Sequence, residues 1–401
     1  MVSPTVPRPV KSLIFALGPS NVAVGFILIY VPAYLPEINF SAAQVGLLIG
    51  LEGIVMIISA IPFGVLSDRR GRKEILFLGA LAISPAIFIF AITTDFILLA
   101  IGSIVFGIAE AATLSTWNAI IADQTSLENR DSAFSLSFIV NNCLVAFGFI
   151  LPLFIPAIQS VTSLSSFQVH RDIIAIGALA ALFSAILIRI ILRNYEEGNL
   201  RKETRRSSPR LVRGKNFGTL VKFSGINSLV GLGAGFIVPI ITTWFYLRFH
   251  LPDAYTGTLL GISNLTIGLA AVLSPRLAKK YGAVNSIVAT EGLSTIFMLS
   301  IAFIPNALAA AGTYIVRAAL MNMSSPLADS YLMGLMSQEE RGLASSLNSL
   351  IWRLPNSAST IVGGLILSSG NLSLPFFLAT GLYVISITLF YSSFRNVRPS
   401  G

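Results

Sequence analysis

An all-helical protein that crosses a membrane twelve times, as two pseudo-symmetric six-helix bundles, is the fold the sequence predicts. Three observations predict it. Of 401 residues, 54% are hydrophobic and 11% charged, against about 25% charged in a soluble domain. Uncharged runs recur at about 20 residues, enough at 1.5 Å per residue to cross roughly 30 Å of hydrocarbon. Three separated landmarks also repeat along the chain at one constant offset.

The apolar runs place spans at 13–34, 42–66, 74–94, 96–122, 132–156, 172–192, 218–247, 255–275, 283–304, 307–336, 342–368 and 372–394. Runs such as IAIGALAALFSAILI are apolar on every face, whereas strands of a membrane barrel alternate polar and apolar residues. The fold is therefore read as helical. One cysteine (Cys143) and two histidines (His170, His250) supply neither a disulfide framework nor the usual zinc or iron–sulfur ligand set. No cofactor or metal is expected. The formal charge of +9 does not point to nucleic acid, because the basic residues are not interleaved with aromatics on one surface.

Lysines and arginines set the orientation. Arg8 and Lys11 precede the first span; Arg69, Arg70, Arg72 and Lys73 lie between the second and third; Arg130 follows the fourth. The segment from Arg193 to Lys215 is strongly basic, Arg276, Lys279 and Lys280 lie between the eighth and ninth spans, Arg341 follows the tenth, and Arg395 and Arg398 close the chain. With an even number of crossings all fall on one side, so both termini are expected in the cytoplasm. The apolar run after MVSPTVPRPVK lacks an Ala-x-Ala cleavage site and reads as a retained first helix. A multi-pass protein of the plasma membrane follows, with the lipid bilayer as its surroundings.

The polar segment 193–216 divides the spans six and six, giving an N-terminal bundle 1–192, a basic cytoplasmic linker 193–216 and a C-terminal bundle 217–401. Gly46-x-Leu48-x-Gly50 recurs as Gly257-x-Leu259-x-Gly261, Gly71 matches Gly282, and Arg130 matches Arg341. The offsets are 257 − 46, 282 − 71 and 341 − 130, each 211. Parallel six-helix repeats are the mark of transporters whose halves rock about a central site.

Between the second and third spans the chain reads GVLSDRRGRK. Gly71 permits a tight reversal, the cations meet anionic lipid heads, and Asp68 is a carboxylate that a purely topogenic loop would not need. With Gly64, Leu66, Asp68, Arg69, Gly71, Arg72 and Lys73, the segment closely resembles the signature loop of the major facilitator superfamily, Gly-x-Leu-x-Asp-Arg-x-Gly-Arg-Lys, at every specified position. That resemblance implies a cytoplasmic gate at which Asp68 contacts the other half. Offset 211 puts Lys279 opposite Asp68, so the latch is expected on one side only. Asp123 to Arg130 and Glu339-Glu340-Arg341 look like the superfamily's other cytoplasmic loops, with Arg130 and Arg341 as partners of the signature.

An ionised side chain at mid-bilayer costs about 3 kcal/mol or more unless paired or hydrated. Glu52, Glu110, Arg317 and Arg353 fall near mid-depth, the acids in the first half and the bases in the second. The resemblance implies that Glu52 and Arg353 meet between the halves and that Glu110 and Arg317 line the cavity. Static pairing inside the bundle is the alternative. Glu110, Thr113 and Trp117 share one helical face, as do Asn322, Ser325 and Asp329, and Ser137, Asn141, Asn21, Asn227 and Tyr246 add polar groups. The cluster Gly231-x-Gly233-x-Gly235 has no preceding strand, so it reads as close helix packing rather than a nucleotide loop.

No phosphate-binding loop is present and no metal-ligand or Ser-His constellation appears, so neither an ATP motor nor an enzyme is expected. The sequence reads as a secondary active transporter that moves a small-molecule substrate as a monomer, driven by protons, with Glu110 and Glu52 carrying the proton. The drug:proton antiporter branch is the nearest resemblance, although IGSIVFGIAEAA lacks the arginine that branch carries early in its fourth helix. Proton-coupled uptake of an organic anion or sugar, with Arg317 and Arg353 clamping an anion, is the alternative. A non-transporting receptor, scaffold or channel on the same fold is the alternative of another class.

Overall fold

A computed structural model gives the structure of residues 6–126, 128–194, 216–337 and 340–397, with the backbone alone for 194, 267–272 and 341–343. Most of the predicted linker therefore lies outside the described residues. The helical segments are α1 (Arg8–Glu37), α2 (Ala42–Arg70), α3 (Arg72–Ile92), α4 (Phe96–Asp123), α5 (Arg130–Thr162), α6 (Ser166–Ile191), α7 (Phe217–Phe249), α8 (Asp253–Tyr281), α9 (Ala283–Ile301), α10 (Ala307–Leu335), α11 (Arg341–Ser368) and α12 (Leu374–Phe394). No strand occurs among the described residues. Among the same residues nine segments, α1 to α7, α9 and α12, are long and apolar enough to cross a membrane. The other three are 29, 29 and 28 residues long and carry polar groups such as Asp253, Arg317 and Arg353.

Polar side chains cap several helix starts. Asp95 accepts the Leu98 N–H at the start of α4 and Asn306 accepts the Ala309 N–H at the start of α10, both at 3.0 Å. Such caps satisfy donors that a helix start leaves open. Ser165 and Gln168 form a capping box before α6. Prolines cause the irregularities, since each removes a donor and crowds the preceding turn. Pro32 lies in a π turn, Tyr30–Tyr34, within α1. Pro152 and Pro239 lie in 3-10 turns that break α5 and α7.

The offset of 211 reappears in backbone geometry. Gly71 and Gly282 both hold a positive φ, 112° and 83°, a region L side chains rarely adopt. Their N–H groups reach back to Ser67 O and Ala278 O at 3.0 and 2.9 Å, and 278 − 67 is again 211. The two N-caps obey the same register, since 306 − 95 equals 211.

The chain divides into two compact units. The first comprises Met1–Val31, Leu51–Arg210 and Asp253–Thr258. In it α1 packs on α5 and α6, and α3 packs on α4 and α6. Gly25 and Gly148 let α1 and α5 approach backbone to backbone, each lying against the other helix's carbonyls. Leu13, Leu17, Leu76, Ile120 and Ile188 form one of its buried cores. The start of α8 belongs to this unit, where Gly257 rests on the Phe149 carbonyl of α5.

The second unit comprises Pro32–Gly50, Leu211–Pro252 and Leu259–Gly401. The packing order recurs: α7 lies on α11 and α12, and α9 on α10 and α12. Phe223, Ile287, Tyr331, Phe390 and Phe394 are among its core residues. Gly231 lies against the Trp352 carbonyl and Gly235 against that of Asn356 on α11, so the glycine cluster serves close packing. The start of α2 belongs here, with Gly46 against Thr360 O and Gly364 Cα, which an added Cβ would approach to 2.8 and 3.0 Å. Gly46 and Gly257 therefore do the same work 211 residues apart, on carbonyls (Thr360, Phe149) that are themselves 211 apart.

Candidate functional site

In the first unit the GVLSDRRGRK segment ends α2, turns at Gly71 and opens α3. Arg72 donates to Asp123 Oδ2 at the end of α4 at 2.6 Å, and its other terminal nitrogen lies 3.5 Å from Asp68 Oδ1. Lys73 Nζ donates to Arg193 O at 3.0 Å, and Arg189 reaches Glu74 at 2.5 Å. Arg69 is exposed. Gly64 has open space about it, and its carbonyl accepts the Ser67 hydroxyl at 2.8 Å. Arg130 opens α5 and donates to Ala122 O at 3.2 Å and Thr125 O at 3.5 Å, so a cation sits on the carbonyl end of α4, where the helix dipole favours it. Of the Asp123–Arg130 loop, it is Asp123 that contacts the signature arginine Arg72, whereas Arg130 bonds to the carbonyls of Ala122 and Thr125.

Farther along α2 and α4 are the two acidic residues. Gly107 removes the side chain that would separate these helices: a Cβ there would stand 2.5 Å from Glu52 O and 3.2 Å from Met56 N. Glu110 follows one turn later, and its carboxylate lies within electrostatic range of Glu52. Two acids from separate spans thus share one half-buried neighbourhood. Trp117, on α4, donates its indole N–H to Ser137 Oγ of α5 at 2.9 Å. Thr113 instead bonds back to Ala109 O at 3.0 Å and lies against Gly79 of α3. The three-residue face read from the spacing is therefore divided between neighbours.

In the second unit Arg317 is buried, 3% exposed. Its guanidinium donates to the Tyr383 hydroxyl of α12 at 2.7 Å, while Nε has no hydrogen-bond partner among the described residues. The Arg317 carbonyl accepts Ser294 Oγ of α9 at 3.0 Å. Ser324 Oγ donates to Glu291 Oε1 at 2.9 Å, so Ser324, not Ser325, carries the polar contact on α10. Asn322 donates to Ala318 O of its own helix at 2.9 Å, and Asp329 and Arg353 are exposed. Asn227 of α7 donates to Asn348 Oδ1 of α11 at 3.1 Å.

Glu340 precedes α11 and accepts from Asn216 Nδ2 at 3.0 Å and from the Ser337 N–H and hydroxyl at 3.1 and 2.9 Å. The Asn216 amide first, and then Ser337, hold its carboxyl below the usual glutamate range. Arg341 opens α11, but its side chain lies outside the described residues, as does Glu339.

The model of the Major Facilitator Superfamily matches residues 13–360 and 223–401, which together span nearly the whole chain. The chain belongs to the major facilitator superfamily. Among relatives, the superfamily member named Multidrug resistance protein 1 of Bacillus subtilis (strain 168) is 24% identical over 375 residues, 91% of each chain. The Quinolone resistance protein NorA of Staphylococcus aureus (strain MRSA252) is 27% identical over 168 residues, 41% of each chain. A crystal structure of a point mutant of the nucleoside transporter NupG shares the fold with a TM-score of 0.78 at 16% identity, covering 96% of this chain and 100% of that one. Membership makes this protein a multi-pass membrane transporter of small molecules, not an enzyme.

Sequence reasoning within the superfamily frame misses two partners. Tyr383 escapes it because a buried arginine does not name the residue that satisfies it. Ser324 is missed because spacing groups Asn322, Ser325 and Asp329 on one face without saying which face meets α9, and it is Ser324 that reaches Glu291.

Proposed function

We propose that the protein exports small organic solutes across the plasma membrane in exchange for protons, with both termini in the cytoplasm and as a monomer. The shared neighbourhood of Glu52 and Glu110 carries this reading. Two carboxylates in a low-dielectric site ionise together only at high cost, so the pair is built to hold either a proton or a cation. Exchange of one for the other is the coupling step. Segments 1–192 and 217–401 rock about the site through the linker 193–216, and the Asp68–Arg72–Asp123 cluster with Arg130 and Arg341 closes the cytoplasmic side.

The relatives named for multidrug and quinolone resistance support efflux. For one-for-one exchange of a proton with a monovalent cation the membrane voltage cancels, and about one pH unit supplies roughly 1.4 kcal/mol, about a tenfold gradient. For an uncharged solute about 100 mV adds roughly 2.3 kcal/mol and raises the limit to several-hundred-fold. The test is purified protein in liposomes with an imposed pH gradient and a lipophilic cationic dye. Dye movement coupled to protons, lost in Glu110→Gln and in Glu52→Gln, is expected. Dye movement indifferent to both substitutions, or uptake of a carboxylate abolished by Arg317→Gln, overturns the reading. Absence of any solute-linked proton flux favours the receptor alternative.

A further inference from the structure

The second unit holds a carboxyl that the exchange reading does not use. Glu291 is the ninth of the 19 residues of α9, a helix long and apolar enough to cross a membrane. It is half-buried, and α9 packs on α10 and α12. Ser324 of α10, 2% exposed, is its hydrogen-bond partner, with Oγ 2.9 Å from Glu291 Oε1. Among the described residues no cation forms an ion pair with it. An ionised carboxylate held inside a membrane span by one neutral hydroxyl is costly, and a proton removes that cost.

Ser324 suits both forms of that carboxyl. Its Oγ also lies 2.8 Å from Met321 O of its own helix. A hydroxyl has one hydrogen, and a carbonyl only accepts. When Glu291 is protonated, the carboxyl donates to Ser324 Oγ and the serine hydrogen goes to Met321 O, so each contact has a hydrogen of its own. When Glu291 is ionised, the serine hydrogen turns to the carboxylate, and Met321 O keeps the backbone N–H that a helix carbonyl accepts. The proton thus comes and goes while α10 stays in place. The other groups around the carboxyl are occupied elsewhere. From α12, the Tyr383 hydroxyl is within electrostatic range of Glu291 and accepts from the Arg317 guanidinium at 2.7 Å. From α10, Arg317 is turned to that hydroxyl, Tyr314 lies within electrostatic range of Arg317, and Asp329 is exposed. On α9 itself Thr290 bonds back to Ser286 O, Thr295 bonds back to Glu291 O, and Ser294 crosses to Arg317 O.

We infer that Glu291 is a site in the second unit that takes up and releases a proton, separate from the Glu52–Glu110 pair, with Ser324 as the partner that serves its charged and neutral forms. Its use in transport rests on the exchange reading above, but the site itself does not, and it is tested without substrate. Infrared difference spectra of full-length protein in lipid nanodiscs, between about pH 5.5 and 9, report carboxyls that change protonation, because a protonated carboxyl has a C=O stretch that a carboxylate lacks. An ordinary glutamate, at about 4.3, is already ionised throughout that range. Glu291→Gln should remove one such band, while the double variant Glu52→Gln/Glu110→Gln should keep it. Ser324→Ala leaves the carboxyl and takes away its partner, so the band should persist at a shifted frequency. Spectra of a folded Glu291→Gln protein that superimpose on those of the parent overturn the site. A band that disappears only in the double carboxylate variant overturns it too, and assigns the proton to that pair. Should Glu291→Gln fail to fold, a band pattern unmoved in Ser324→Ala decides against the site.

Discussion

Arg72 of α3 and Asp123 of α4 meet at 2.6 Å, and Asp68 holds the same guanidinium from one turn back at 3.5 Å. The signature loop thus has a partner within its own unit. Both side chains of the shorter contact are largely covered, at 24% and 19% exposed, so solvent screens them less than an ordinary surface pair. A double-mutant cycle with Arg72→Gln and Asp123→Asn should return a coupling of about 1 kcal/mol in thermal or denaturant unfolding of the purified protein. Coupling near zero would mean that the contact does not hold α3 to α4.

The glycine of that loop makes a sharper case. At φ 112° and 83°, Gly71 and Gly282 occupy conformations in which a Cβ meets the backbone. Alanine at either should cost about 1–2 kcal/mol. Gly64 is the control from the same motif: it lies inside α2 with open space around it, and alanine there should gain about 0.5–1 kcal/mol. Melting temperatures of the three variants check this, and equal losses would show that motif membership, not backbone geometry, decides.

Those two glycines also show what is legible beforehand. A constant offset found in sequence reports a repeated fold because a positive-φ turn, a helix cap or a backbone-to-backbone crossing each demands a particular small or polar residue. Gly71, Gly282, Gly46 and Gly257 are readable for that reason. Apolar length likewise locates helices such as α3 and α6, since hydrocarbon imposes it. Partners across space are not readable: nothing along the chain says that Arg317 faces Tyr383, that Trp117 meets Ser137, or that Thr113 turns from its neighbours toward Gly79. Helical spacing gives a direction, whereas the neighbour depends on how the helices are rotated in the bundle.

Glu340 gives a prediction in pH. Its carboxyl is held below the usual range by Asn216 and then by Ser337. A group lowered on folding stabilises fully above its unfolded value, about 4.3 for glutamate, and that contribution is lost as pH falls through the lower folded value. The protein should therefore outlast Glu340→Gln by a constant margin at about pH 5 and above, and the margin should shrink as pH falls below about 4. Parallel melting curves of the two proteins across that range make the check, and a margin that widens on acidification would reverse the sign.

Arg317 and Tyr383 set the last expectation. The tyrosine is 1% exposed and the arginine 3%, and the 2.7 Å bond between them is joined by a ring contact with the guanidinium 5.7 Å from the centroid. Tyr383→Phe keeps the ring and removes only the hydroxyl acceptor. Because Nε already lacks a partner among the described residues, this leaves a buried cation with still fewer acceptors, a situation that costs about 1–3 kcal/mol. Arg317→Met alone should also destabilise, by stranding the hydroxyl. The double variant should lose less than the two single losses combined, because a buried polar pair costs less to replace whole than to break. Unfolding of the four proteins in one detergent decides it: strict additivity would mean that the hydroxyl and the guanidinium act independently.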